Sequence, residues 1–448
     1  MRGLRSTLVL LAILLGLGAY IYFVESDRPT SEEAATAKDS VFELEAEQIE
    51  GLRVTASGET SVLEKQDGAW RLLEPVDAGV AEMEVDAIAN ALASLQIERV
   101  LEEQPTDVTP FGLSEPRIDI GFRQAGEETM RHLRLGDKTA TGGDLYAQIS
   151  DDPRVFLIAG YLEGTFDRSP FELRDKSILE FDRDAVERVE VVRGAETLRA
   201  TKRDDRWLLE APARGRADSP AFESLLTRLQ TVQMKSIVAE GGAPIDLAAL
   251  GLDPSPTRVT VGAGSTHASL AFGTTSDAGD RYARDEARGV VFTVDPSLFD
   301  DVSKPANDYR RKDMFDFRSW NATTLAVTRD GVTRRFEKRT AEDGQSAGWH
   351  GVEPASDLDE GRMQTFLTKL SGLRAEDFAE TRAGTGLDTP ALTVDVEFDD
   401  GAKHERVLFG RTITGVFALT GDDDPPATID ATAYQDVVSA LDDVLEPQ

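Results

Sequence analysis

Gly68-Ala-Trp-Arg-Leu-Leu-Glu-Pro75 decides the architecture, because the chain carries this stretch three times. It returns as Asp205-Arg-Trp-Leu-Leu-Glu-Ala-Pro212 and, more worn, as Ala347-Gly-Trp-His-Gly-Val-Glu-Pro354. The tryptophans Trp70, Trp207 and Trp349 lie 137 and 142 residues apart. Each copy leads into an amphipathic helical pattern. A Gly-Leu step with a proline close behind comes next: Gly112-Leu113 with Pro116, Gly251-Leu252 with Pro254 or Pro256, and Gly386-Leu387 with Pro390. An apolar strand then ends in glycine, at Gly136, Gly273 and Gly410, which lie 24, 22 and 24 residues beyond the glycine of the Gly-Leu step. Four landmarks in one order, three times over, mark a tandem repeat.

At 448 residues the chain has room for three units of about 140 residues, each large enough to bury its own core. A net charge of −33, from 82 acidic against 49 basic residues, repels phosphate backbones and argues against nucleic acid as a partner. There are no cysteines, which excludes disulfides, thiolate metal sites and a cysteine nucleophile. The acidic runs Asp399-Asp400 and Asp422-Asp423-Asp424 lack the alternating oxygen ligands and closing glutamate of a calcium loop. No metal and no cofactor is expected.

The N-terminus carries Arg2 and Arg5, then an uncharged run from Ser6 to Val24, then Glu25 and Asp27. Nineteen helical residues rise about 28 Å, close to the hydrocarbon thickness of a bilayer. The charge asymmetry keeps the N-terminus in the cytoplasm. Aromatic residues at the far end, without an Ala-x-Ala step before Glu25, favour an uncleaved anchor over a signal peptide. Polar, acidic residues up to Ser40 read as a tether.

Within the first repeat, Leu52–Thr55, Ser61–Lys65 and the Trp70 segment read as a strand meander. Val80–Ile97 reads as a helix, and Arg117–Phe122, Met130–Leu135, Leu145–Ile149 and Val155–Ile158 as further strands. A short closing helix is expected over Gly160–Phe166. The second repeat copies the plan, with its helix over Pro220–Val232 and Pro296–Val302 as the closing element. The third has its helix over Glu360–Leu373 and closes on Ala431–Leu441. The fold predicted is therefore α+β: three tandem repeats (residues 41–175, 178–308 and 315–444). Each is a mainly antiparallel sheet with one packed amphipathic helix and a short closing helix. They follow a single N-terminal transmembrane helix (residues 1–24) and an acidic tether (residues 25–40). The joints repeat as well, Phe171 to Ile178 resembling Asp308 to Phe315, and both lack a flexible Gly/Ser linker.

A search for chemistry finds little. There is no Gly-x-Ser-x-Gly elbow and no His-Glu-x-x-His helix. Gly136-Asp137-Lys138-Thr139 resembles the end of a phosphate loop but lacks its leading glycine, so it reads as a hairpin turn. Of the four histidines, His132, His267 and His404 precede the strand-ending glycines by four, six and six residues, which places them on one strand face. Exposed polar positions explain them more simply than a shared ligand site. Core plugs explain the three repeated tryptophans better than ligand platforms do. The Gly-Leu step is a turn whose glycine takes positive φ. Asn321-Ala-Thr323 is a formal glycosylation sequon. No catalytic residue is assigned, and an enzyme is not expected.

The Trp-x-x-x-x-Pro hairpin end, the helix, the Gly-Leu-x-x-Pro turn and the strand ending in Leu-Gly, with Tyr146 or Tyr282 soon after, resemble a bacterial family, domain of unknown function number 4340. The third repeat departs from that pattern, with Thr385 before Gly386 and Val416-Phe417 at the tyrosine position. The resemblance implies an N-terminal membrane helix and genes often placed beside the permease and auxiliary subunits of gliding-motility-type ABC transporters; no activity comes with it. The resulting expectation is a non-enzymatic, single-pass envelope protein held in the bacterial inner membrane through residues 6–24. Its extracytoplasmic (periplasmic) repeats would act as scaffold or accessory partner of transporter subunits. The alternative is a glycan- or peptide-binding module with a groove between repeats, which exposed aromatic residues lining such a cleft would favour.

Overall fold

In a computed structural model, residues 40–340, 346–353 and 355–446 are described. They form three antiparallel sheets of 8, 9 and 9 strands with few helices. This corrects the α+β expectation for the repeats. Period-3.6 patterning covers one segment of 12 or 13 residues per repeat, joined in the third by a closing segment of 15, and strands take most of the rest. Among the described residues no helix is long and apolar enough to cross a membrane. The run at residues 6–24 lies outside them, as do the tether up to residue 39 and Pro354.

The chain divides into two compact units, one ending at Lys176 and one running from Ser177 to Gln448. The first holds β1 (Ile49–Ala56), β2 (Glu59–Gln66), β3 (Ala69–Glu74), helix α1 (Glu82–Ala93), β4 (Arg99–Glu102), β5 (Ile118–Gln124), β6 (Arg131–Lys138), β7 (Asp144–Ile149) and β8 (Val155–Ala159). Their order across the sheet is β3-β2-β1-β5-β6-β7-β8-β4.

The second unit holds two such sheets. In the first of them are β9 (Arg188–Arg193), β10 (Glu196–Arg203), β11 (Arg206–Ala211), β12 (Gly215–Arg216), α2 (Ser219–Thr231), β13 (Ser236–Ala239), β14 (Thr257–Ala263), β15 (Thr266–Thr275), β16 (Arg281–Asp285), β17 (Val291–Val294) and α3 (Pro296–Val302). Its sister holds β18 (Ala322–Arg329), β19 (Val332–Thr340), β20 (Ser346–Glu353), β21 (Ala355–Asp357), α4 (Glu360–Ser371), β22 (Ala375–Phe378), β23 (Leu392–Phe398), β24 (Lys403–Thr412), β25 (Gly415–Leu419), β26 (Ala427–Ile429) and α5 (Ala431–Leu445). The orders are β12-β11-β10-β9-β14-β15-β16-β17-β13 and β21-β20-β19-β18-β23-β24-β25-β26-β22, the same path twice. The first unit follows it too, with a single Leu72–Ala78 bridge where the others have an added edge strand.

Alternation along β2, β5 and their counterparts turns one face of each sheet inward, and the helix covers it. Val85, Ile88, Ala89, Ala91 and Leu92 of α1 are buried, as are Phe222, Leu225, Leu226 and Leu229 of α2. In the third sheet α4 and α5 pack side by side over the same face. The strands missed from sequence are β4, β12, β13, β21, β22, β25 and β26. All but five-residue β25 have four residues or fewer, too short for a period to be read. The closing helix expected over Gly160–Phe166 is one 3-10 turn and one α-turn. Gly136 to Lys138 is the end of β6, with a register shift after Leu135, and the turn follows at residues 139–143.

The repeated landmarks converge on one contact. Gly112, Gly251 and Gly386 take φ of 71°, 69° and 74°. The turns they make press a carbonyl onto the strand-ending glycines. A Cβ on Gly136, Gly273 or Gly410 would sit 2.0, 2.2 or 2.2 Å from the carbonyl oxygen of Phe111, Leu250 or Thr385. Leu113, Leu252 and Leu387 are buried beneath these turns. Gly273→Ala therefore forces the backbone apart. It will lower the unfolding free energy of residues 177–448 by about 1–3 kcal/mol, read by urea titration, whereas Gly262→Ala, whose Cβ would meet nothing nearer than 3.5 Å, stays within about 1 kcal/mol.

Candidate functional site

The tryptophans of the repeated motif face inward. Trp70, Trp207 and Trp349 are all buried. The Trp207 ring stacks on Phe222, with centroids 5.0 Å apart, and its Nε1 donates to Glu223 at 3.1 Å. Burial pushes the Glu223 carboxyl up, but the indole, Lys202 and Arg183 outweigh it and leave the group below its usual range. Pro75, Pro212 and Pro254 follow cis peptide bonds. Pro116 and Pro390 close their turns immediately before β5 and β23.

His132, His267 and His404 are not brought together; each sits on a different sheet. His132 Nδ1 lies 2.6 Å from Asp119, and His404 Nε2 lies 3.5 Å from Asp395. His267 is exposed beside the β14–β15 turn. Each is explained by cross-strand polar pairing or by solvent.

The features with functional potential lie where the second and third sheets meet. Edge strand β12 carries Arg216, and the connector between the repeats runs alongside it. Arg311 N donates to Arg216 O at 3.0 Å and Asp218 N to Tyr309 O at 2.9 Å. Farther on, the connector hydrogen-bonds the third repeat, Met314 N to Leu373 O at 3.0 Å and Ala375 N to Lys312 O at 2.7 Å. Asp424 reaches across from the third sheet. One carboxylate oxygen accepts from Arg216 N at 2.7 Å and the other from Arg216 Nε at 3.0 Å. The Arg216 guanidinium also donates to Asp313 O at 3.1 Å.

Behind this stitch Arg310 is buried. It donates to Ala213 O at 2.8 Å and lies 5.6 Å from the centre of the Phe378 ring. Burial lowers the Arg310 pKa from its ordinary value, with Asp424 opposing. Glu405 accepts from the main-chain N–H groups of Asp316 and Phe317, fixing the end of the connector. Burial first and the neighbouring Asp316 charge next hold its carboxyl above the usual range.

A groove of about 560 Å3 opens along this joint. Five basic side chains line it (Arg206, Arg216, Arg311, Arg318 and Lys403) against two carboxylates, Asp316 and Asp399. In a chain of net charge −33 this is a local reversal of sign. Trp320 stands on its wall, 71% exposed. The turn that presents it is fixed from several sides. Asn321 Oδ1 accepts from Arg318 N at 2.7 Å, Asn321 Nδ2 donates to Asp399 at 2.8 Å, and Gln364 Nε2 donates to Ser319 Oγ at 2.8 Å. The sequon asparagine is thus a structural tie. Sequence reasoning passed over Trp320; its one signal was being the tryptophan outside the threefold motif.

The model of a family described as a domain of unknown function (DUF4340) matches residues 70–243 and, overlapping, residues 207–390. The chain belongs to the DUF4340 family. Each DUF4340 match starts on a signature tryptophan, Trp70 or Trp207, and runs past the next. Each match therefore begins inside one sheet and ends inside the next. No curated protein matches the chain in sequence. Among solved structures, the DNA polymerase sliding clamp from Pseudomonas aeruginosa with ligand is similar at 9% identity. It covers 89% of this chain and 95% of that one, with a TM-score of 0.17. A second structure of the DNA polymerase sliding clamp from Pseudomonas aeruginosa gives 9% identity, coverage of 88% and 93%, and a TM-score of 0.16. Superpositions this poor carry no argument about fold or function.

Proposed function

We propose that this DUF4340 chain is a non-enzymatic accessory protein that works by contact. It would be attached to a bacterial inner membrane through residues 6–24, with its repeats on the extracytoplasmic side as a scaffold for an ABC-type transport complex. The observation that carries the contact reading is the joint. Arg216, Asp424 and the shared connector tie two sheets together through main-chain and charge-assisted hydrogen bonds, so that a partner meets a preset surface. The membrane and transporter parts rest on the sequence of residues 1–27 and on what the family resemblance implies. Affinity purification of the full chain from detergent-solubilised membranes tests this. Co-recovery of permease and ATPase subunits of an ABC transporter is the expected result, and recovery of the chain alone contradicts it.

A second reading, a binding module with a groove between repeats, is favoured by one observation: Trp320 is exposed on the wall of a cationic cleft at the second joint.

A further inference from the structure

We propose that the groove between the second and third repeats binds an anionic oligosaccharide, its ring seated on Trp320 and its carboxylates held by Arg206, Arg318 and Lys403. This inference rests on the groove reading of the preceding section and gives it a ligand class.

Charge points to an anion. Arg206 is largely exposed, and its nearest carboxylate, Asp316, lies at the limit of ion pairing, 4.0 Å away. The Arg318 guanidinium donates to main-chain carbonyls, Phe315 O at 3.4 Å and Phe317 O at 3.1 Å, and among the described residues no carboxylate pairs with it. Lys403 is half-exposed and pairs with Asp399 at 2.7 Å. A cationic cleft on an acidic surface attracts an anion.

Shape and hydrogen bonding separate a sugar from a peptide. A peptide would bind a sheet edge by adding a strand, which needs free main-chain groups. At β12 those of Arg216 are taken: its N–H donates to Asp424, and its carbonyl accepts from Arg311. Recognition must therefore come from side chains. A rigid indole face suits the flat C–H face of a pyranose ring, and planar guanidinium groups suit its carboxylates. The cleft volume falls within the range of small-ligand sites. The ties on Ser319 and Asn321 hold the platform before any ligand arrives.

The test is calorimetric titration of the purified full chain with tetragalacturonate, maltotetraose and hexaglutamate. Saturable binding of tetragalacturonate is expected, weakened about 10-fold or more by Trp320→Ala and several-fold by Lys403→Gln. It should also weaken as salt rises from about 0.05 to about 0.5 M. Both side chains are exposed, and circular dichroism checks that the variants fold. Equal binding of maltotetraose, or no effect of Trp320→Ala, overturns the assignment. Hexaglutamate binding more tightly than tetragalacturonate overturns the carbohydrate while keeping the groove. Binding of neither anion at about 10 mM overturns both, since it would leave under about 3 kcal/mol of affinity. Co-purification with transporter subunits is a separate readout: its failure counts against the accessory reading, whereas failure of the titrations counts against the groove.

Discussion

Trp207→Ala will lower the unfolding free energy of residues 177–448 by about 3–5 kcal/mol, the cost of emptying a large buried aromatic site. The ring is 2% exposed, and its loss also strands Phe222 without its stacking partner. Trp207→Phe separates the two contributions. It keeps most of the apolar contact but removes the donor to Glu223, and should cost about 1 kcal/mol from that hydrogen bond plus a smaller packing loss. Urea unfolding followed by circular dichroism reads both. A loss under about 1 kcal/mol for the alanine variant would mean that the repeated tryptophan is not a core plug, contrary to its burial in all three sheets.

Asp424→Ala will cost about 2–3 kcal/mol in the same transition, because one carboxylate satisfies an edge-strand N–H and a partly buried guanidinium together. Removing it leaves Arg216 with a carbonyl at 3.1 Å and a carboxylate at 4.0 Å. The neighbours Asp422 and Asp423 are exposed, and alanine at either should stay within about 0.5 kcal/mol. The contrast matters because the sequence shows three adjacent aspartates of equal standing. Only the fold singles out Asp424 for the joint.

That contrast describes what was legible. The threefold plan could be read because its landmarks answer to local demands that leave one residue type. The strand-ending glycines accept a carbonyl where no Cβ fits, and the Gly-Leu steps need positive φ. The period of the helices was readable for the same reason: Phe222, Leu225, Leu226 and Leu229 recur on one face. Two-residue β12 and four-residue β13 carry no period, so the sheet edges were invisible. The groove was invisible too. Arg206, Arg318 and Lys403 are far apart in the chain and meet because the connector folds back along β12, a non-local event that no motif records.

Hydrogen exchange of the full chain, read by mass spectrometry in the segments holding Arg216, Arg311 and Met314, tests most directly whether the second and third sheets form one fixed contact surface. The account predicts that these joint amides are protected like those of β14 and β23, and that Asp424→Ala releases those at Arg216 and Arg311. Exchange in the unsubstituted chain at the rate of an exposed loop would show the two sheets moving independently and would contradict it.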